Sequence, residues 1–148
     1  MEIKKILWPT DFSDNSNAAL AYVLSLSKKY DAEIHLLYVA EDLTDYPDWY
    51  GELAAEHAGK IREWEIPLAE KKMESICRSD LHGCPRFQKR VLVGDPAEKI
   101  LDTAKQEKID VIVMATHGRR GKFNIGSVTE KVVKNSSVPV WTVRPLKR

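Results

Sequence analysis

With 148 residues the chain has the length of one domain, enough to bury a continuous core without disulfides or a structural metal. Its 23 Lys and Arg against 22 Asp and Glu leave a net charge of +1. That balance gives no global field for gathering DNA, RNA or an anionic membrane, so any anion site has to be local. Cys77 and Cys84 match no CxxC metal or redox spacing and read as reduced thiols. No apolar run approaches the roughly 20 residues of a membrane span, and Met1-Glu2-Ile3-Lys4-Lys5-Ile6 has no signal-type apolar core. A cytoplasmic protein without nucleic-acid or membrane partners is the expectation.

In chain order, a strand-like run over Ile3 to Trp8 is followed by Ser13 to Ser16, N-cap candidates for a first helix. That helix carries Ala18, Ala19, Ala21, Tyr22, Leu24 and Leu26 toward a sheet and ends near Tyr30. A second strand runs from Glu33 to Val39. The acidic and aromatic stretch from Asp45 to Tyr50 reads as a loop leading into a helix from about Glu52 to Cys77. A third strand covers Phe87 to Val93. Asp95-Pro96-Ala97-Glu98 then starts a helix, with Asp95 as cap, Pro96 at the first helical position and Glu98 closing a capping box. Val111 to Ala115 and Val138 to Val143 complete five strands. Strands alternating with helices imply a parallel sheet, and a single doubly wound, Rossmann-like α/β domain is the economical topology.

Ligands of such sheets sit at the carboxyl ends of the strands. Three segments meet there: Trp8-Pro9-Thr10-Asp11, Tyr38-Val39-Ala40 and Met114-Ala115-Thr116-His117-Gly118. After a short basic loop the last segment reaches Gly126-Ser127-Val128-Thr129, a helix start whose free N–H groups and partial positive charge suit a phosphate. Arg119, Arg120 and Lys122 add three positive charges to that loop, either to neutralise a polyphosphate or as an ordinary solvated surface. Gly121-Lys122 lacks the Walker A spacing, so this is not a P-loop NTPase. His35, His57, His82 and His117 show no metal-ligand spacing, and no Gly-x-Ser-x-Gly elbow supplies a nucleophile. No metal site and no catalytic residue is therefore assigned. His117, at a strand end, reads as a binding or structural residue rather than a proton carrier. Trp8 beside Pro9 and Trp141 in the last strand read as core or dimer-packing residues, with Trp8 also a candidate fluorescence reporter of the pocket.

Through Ile6-Leu7-Trp8-Pro9-Thr10-Asp11-Phe12-Ser13, Val93-Gly94-Asp95-Pro96 and the strand–loop–helix just described, nearly the whole chain resembles the universal stress protein family. The resemblance implies an adenine nucleotide alpha hydrolase-like sheet of five parallel strands. It implies a homodimer in which the last strands pair across a two-fold axis, here through Val138, Val140 and Thr142. It also implies ATP or another adenine nucleotide as ligand, with or without magnesium. By resemblance Asp11 faces the ribose while Pro9 and Thr10 shape the pocket floor. Val39 offers its main chain to adenine, beside Met114. Gly118, Gly126, Ser127, the backbone of Val128 and the Thr129 hydroxyl contact the phosphates, and Ala115 and His117 belong to the same binding site. Read from the residues alone, Asp11 serves equally as a turn residue, Val39 as a buried strand end and Ser127 as a plain N-cap.

Nucleotide-binding members carry Gly, two residues, Gly, nine residues, then Gly followed by Ser or Thr. Here Ala115 replaces the first Gly, Gly118 is the second, and only seven residues, Arg119 to Ile125, precede Gly126-Ser127. The methyl group is tolerable, but two missing residues remove about 7 Å of extended reach around a triphosphate. The expectation is a stress-response regulator or sensor that binds an adenine nucleotide. The alternative is a dimeric interaction module of the same family that binds none, and an enzyme hydrolysing nucleotides slowly ranks third.

Overall fold

The computed structural model describes residues 2–41, 56, 59–79, 86–117 and 125–145. Five strands, β1 (Lys5–Pro9), β2 (Glu33–Glu41), β3 (Phe87–Gly94), β4 (Val111–Ala115) and β5 (Val140–Val143), form one sheet in the order β3-β2-β1-β4-β5. Every neighbouring pair is parallel. The helices are α1 (Asp14–Asn17), α2 (Leu20–Tyr30), α3 (Ile66–Ser79, entered through a π-helical turn Ile61–Glu65), α4 (Pro96–Gln106) and α5 (Ser127–Asn135).

Alternation along the strands splits the core into two layers, because successive side chains point to opposite faces. Ile6, Trp8, Ile34, Leu36, Val111 and Val113 pack with Ala19, Val23 and Leu26 of the first helical region and Met73 of α3. Leu7, Leu37, Ile112 and Met114 pack with Ala97, Ile100 and Ala104 of α4 and Val132 of α5. Helices thus cover both faces, as the doubly wound reading requires. Among the described residues no helix is long and apolar enough to cross a membrane.

Element boundaries differ from the sequence reading for local reasons. The strand begins at Lys5 rather than Ile3, where the Asp110 carboxylate accepts hydrogen bonds from the Lys4 and Lys5 amides at 2.8 and 2.9 Å. The first helix is two pieces. Ser13 caps α1 by accepting from the Ser16 amide, and the Ala18 and Ala19 amides donate to the carbonyls of Asn15 and Ser16, a tighter i→i+3 turn than an α-helix makes. The last strand starts at Val140, leaving Val138 in the connection. Asp95 caps α4 as expected, accepting from the Glu98 amide at 3.0 Å, with Pro96 at the first position. The Asp45 to Tyr50 loop, the Glu52 end of its helix, His57, His82 and Cys84 lie outside the described residues.

Trp8 is fully buried on the α2 side of β1, and its indole N–H finds no acceptor among the described residues. Leaving such a donor unpaired costs about 1–3 kcal/mol, set against the burial of a large ring. Trp141 is 45 % exposed, its ring tilted against Tyr22 at 6.3 Å, so it is a surface residue and not a core one.

Candidate functional site

The strand order places a switch point at β1, which bonds to β2 on one side and β4 on the other. The chain leaves β1 toward α1 and α2 on one face and leaves β4 toward α5 on the other, so a crevice opens at their carboxyl ends. It forms a cleft of about 510 Å³, within the range of small-molecule sites.

The β1–α1 turn makes its floor. The Thr10 amide donates to the Leu37 carbonyl at 2.9 Å, tying the turn to β2. The Thr10 hydroxyl oxygen accepts from the Phe12 amide at 3.0 Å and from the Ser16 hydroxyl at 2.9 Å. The Asp11 carboxylate accepts from the Ser13 amide at 2.9 Å, so Asp11 shapes the turn while lining the cleft with Pro9 and Thr10. Phe12 takes a left-handed φ of 62°, a costly conformation for a side-chain-bearing residue, and its ring stacks on Tyr38 at 5.0 Å.

Hydrogen-bond direction along β2 supplies the second wall. Leu37 turns its carbonyl toward β1, where Thr10 takes it. Val39, two residues on, points its N–H and C=O the same way by the period of the strand, and there β1 has already ended at Pro9. A donor and an acceptor therefore face the cleft from the main chain.

The third wall is the exit of β4 and the start of α5. Met114, Ala115 and His117 line it, followed by Gly126, Ser127, Val128 and Thr129. The Gly126 amide donates to the Thr116 carbonyl at 2.7 Å, pinning the helix start to the strand exit. No side chain caps α5, so the N–H groups of Ser127, Val128 and Thr129 are left open among the described residues. Thr129 enters differently from the expectation. Its hydroxyl is buried and donates to the Ala115 carbonyl at 2.9 Å, which leaves its amide, not its hydroxyl proton, for a ligand. Glu130, the acid of this first turn, is drawn to Lys134 at 2.7 Å, and that hydrogen bond holds its carboxyl below the ordinary glutamate value. His117 meets the Thr116 hydroxyl through Nδ1 at 2.6 Å.

Eleven residues singled out in the sequence thus surround one cleft, drawn from three separated segments. Gly118, Arg119, Arg120 and Lys122 lie outside the described residues. Trp8 is not among the lining residues, since its ring points to the opposite layer from Leu7. Tyr38, part of a segment placed at this edge from the sequence, lines the cleft as well, and the sequence reading missed Ser16, Leu37, Glu41, Glu65, Pro96 and Ile100. The Asp95-Pro96 cap carried a signal for Pro96, because a helix start beside a strand end has to face the same edge. Glu65 carried none. Among the described residues, no three His, Cys, Asp or Glu side chains are grouped to hold a metal ion.

Fold and cleft together define a doubly wound α/β domain with a helix start that no side chain caps at its switch point. The universal stress protein family model matches residues 2–144, and the chain belongs to that family. Universal stress protein MJ0531 of Methanocaldococcus jannaschii is 33% identical over 147 residues, covering 98% of this chain and 84% of that one. The solved structure of MJ0577 from the same organism superposes with a TM-score of 0.83 at 30% identity, covering all of both chains. UspA from Lactobacillus plantarum gives 0.82 at 25% identity over 97% of this chain and 99% of that one. More distant structures of the fold include a universal stress protein in complex with cAMP (TM-score 0.64, 18% identity, 97% and 98% coverage) and one from Archaeoglobus fulgidus in complex with dAMP (0.58, 17%, 95% and 96%).

Proposed function

We propose that this universal stress protein binds an adenine nucleotide in the cleft and acts in the cytoplasm as a stress-response regulator or sensor. The base lies against the open main chain of Val39, the ribose beside Asp11, and the phosphates at the start of α5. The observation that carries this reading is the uncapped N-terminus of α5, three amides on the same cleft as the main chain of Val39, which lies beyond the end of β1. Donors of this kind suit an anion, while main-chain groups at a strand end suit the edge of a base. Relatives of the same fold that hold cAMP and dAMP support an adenine ligand. Arg119, Arg120 and Lys122 are proposed to neutralise the phosphates, and any magnesium would be held by phosphate oxygens rather than by a protein cluster.

Dimerisation through β5 belongs to the same proposal. Among the described residues β5 is an edge strand bonded only to β4. The Pro139 and Val143 carbonyls turn toward β4, which aims the main-chain groups of Val140 and Thr142 outward. An open edge of this kind invites a second copy.

A second reading, a dimeric module that binds no nucleotide, is favoured by one feature, the seven-residue loop in place of nine. Calorimetric titration of nucleotide-stripped protein with ATP and magnesium, and separately with AMP, distinguishes the two. Saturable binding of either, lost in Gly126→Val, supports the nucleotide site. Folded protein that binds neither overturns it in favour of the interaction module.

A further inference from the structure

The cleft has two ends of opposite character. On the β4 side of β1 stand the open amides of α5; on the β2 side stands Glu65, the last residue of the π-helical turn before α3. With strands about 4.8 Å apart, β2 and β4 lie roughly 10 Å from each other across β1. A ligand filling the cleft thus meets hydrogen-bond donors at one end and a carboxylate at the other.

Glu65 is partly buried and forms no ion pair among the described residues. Its Oε1 accepts the Tyr38 phenol at 2.5 Å. That phenol is itself braced, since the Tyr38 ring stacks on Phe12 at 5.0 Å and Lys72 Nζ sits 5.3 Å from the other ring's centroid. The carboxylate is therefore tied to β2 by a side chain that is itself held in place. π-helical turns recur at functional positions because they shift one side chain out of the α-helical register. Here the residue that ends the turn lines the cleft.

We infer that Glu65, held by Tyr38, selects phosphates that carry a nucleoside over bare phosphates. Its carboxylate accepts a hydrogen bond from a donor on the nucleoside, a ribose hydroxyl or the exocyclic amine of the base, and its charge repels a second anion from that end. The inference rests on the nucleotide reading above. It fixes the orientation of the ligand, phosphate toward α5 and nucleoside toward Glu65.

The test is the binding of AMP and of inorganic pyrophosphate to wild type and Glu65→Gln, with far-UV circular dichroism confirming the fold. A hydrogen bond to a charged group corresponds to about a tenfold change or more in affinity. Glu65→Gln is expected to weaken AMP about tenfold while tightening pyrophosphate, opposite signs that a purely structural role would not give. Deoxyribose analogues of AMP and purine riboside monophosphate, which lacks the amine, separate the two donors. The analogue whose binding no longer responds to Glu65→Gln names the group that Glu65 receives. Unchanged AMP affinity in the folded variant, a change of equal sign for AMP and pyrophosphate, or a loss that persists with every analogue overturns the inference while leaving the nucleotide site standing. A wild-type protein that binds no AMP overturns the site itself, and this inference with it.

Discussion

Replacing Ser127 by proline should remove one phosphate donor without disturbing the helix that supplies it. Ser127 is the first residue of α5, where the amide has no intrahelical partner, so losing that N–H costs the helix nothing. The preceding residue must be extended when proline follows, and Gly126 already is, at φ −60° and ψ 146°. What changes is the cleft, which loses one of three open amides. A hydrogen bond to a charged phosphate is worth about 1.5–3 kcal/mol, a loss of roughly 10- to 150-fold in affinity. Ser127→Ala keeps the amide and deletes only the hydroxyl, so it serves as the matched control. Calorimetric titration with AMP or ATP gives the affinity, and a thermal melt checks that both variants remain folded. A proline variant with wild-type melting and wild-type affinity would refute the claim that the α5 amides hold the phosphate. Equal losses in both variants would move the contact to the hydroxyl.

Three further outcomes follow from the geometry. Gly94 has φ 150°, and a Cβ there would stand 2.6 Å from Lys99 Cε. Because Lys99 is flexible and can yield, the cost of Gly94→Ala is mainly backbone strain, about 1–3 kcal/mol or a melting point lower by several degrees. Adding Lys99→Ala should not restore stability in a urea titration, and full restoration would show the steric contact to be the cause. Thr142→Pro deletes an outward amide of the β5 edge, where proline is tolerated. Sedimentation is expected to show wild type as a dimer and this variant as a folded monomer, whereas a variant that stays dimeric would exclude pairing through this edge. Glu107 accepts a hydrogen bond from Arg90 at 2.6 Å, and this bond, then the Arg90 charge, lowers its carboxyl pKa, with His35 and Lys5 adding smaller effects in the same direction. A folded-state pKa below the unfolded one gives stability present above the unfolded value and lost as pH falls through the folded value. Arg90→Gln should raise the Glu107 midpoint in a carboxyl NMR titration, and an unmoved midpoint would remove Arg90 as the cause.

What could be read in the sequence was whatever repeats locally. The strand runs and the helices between them are spelled in local patterns, and in the fold Ile6/Trp8 and Val111/Val113 face one layer while Leu7 and Ile112/Met114 face the other. The Asp95-Pro96 helix start was equally legible, because cap, proline and capping acid lie within four residues of one another. Features set by distant partners left no local trace. The start of β1 depends on Asp110, more than a hundred residues away, and the reach of β2 to Glu41 depends on its pairing with β3 as far as Gly94. The same separation explains the uneven reading of the cleft. Motif residues at strand ends were found because the topology brings all parallel strand ends to one edge, whatever the intervening loops do. Glu65 lies in a crossover between strands and reaches the cleft through a π-helical turn and a phenol 27 residues earlier in the chain. No periodicity predicts such a contact. In the proposed binding mode the strand ends therefore meet phosphate, sugar and base edge, while a crossover residue such as Glu65 is where the chain chooses among ligands that fit that frame.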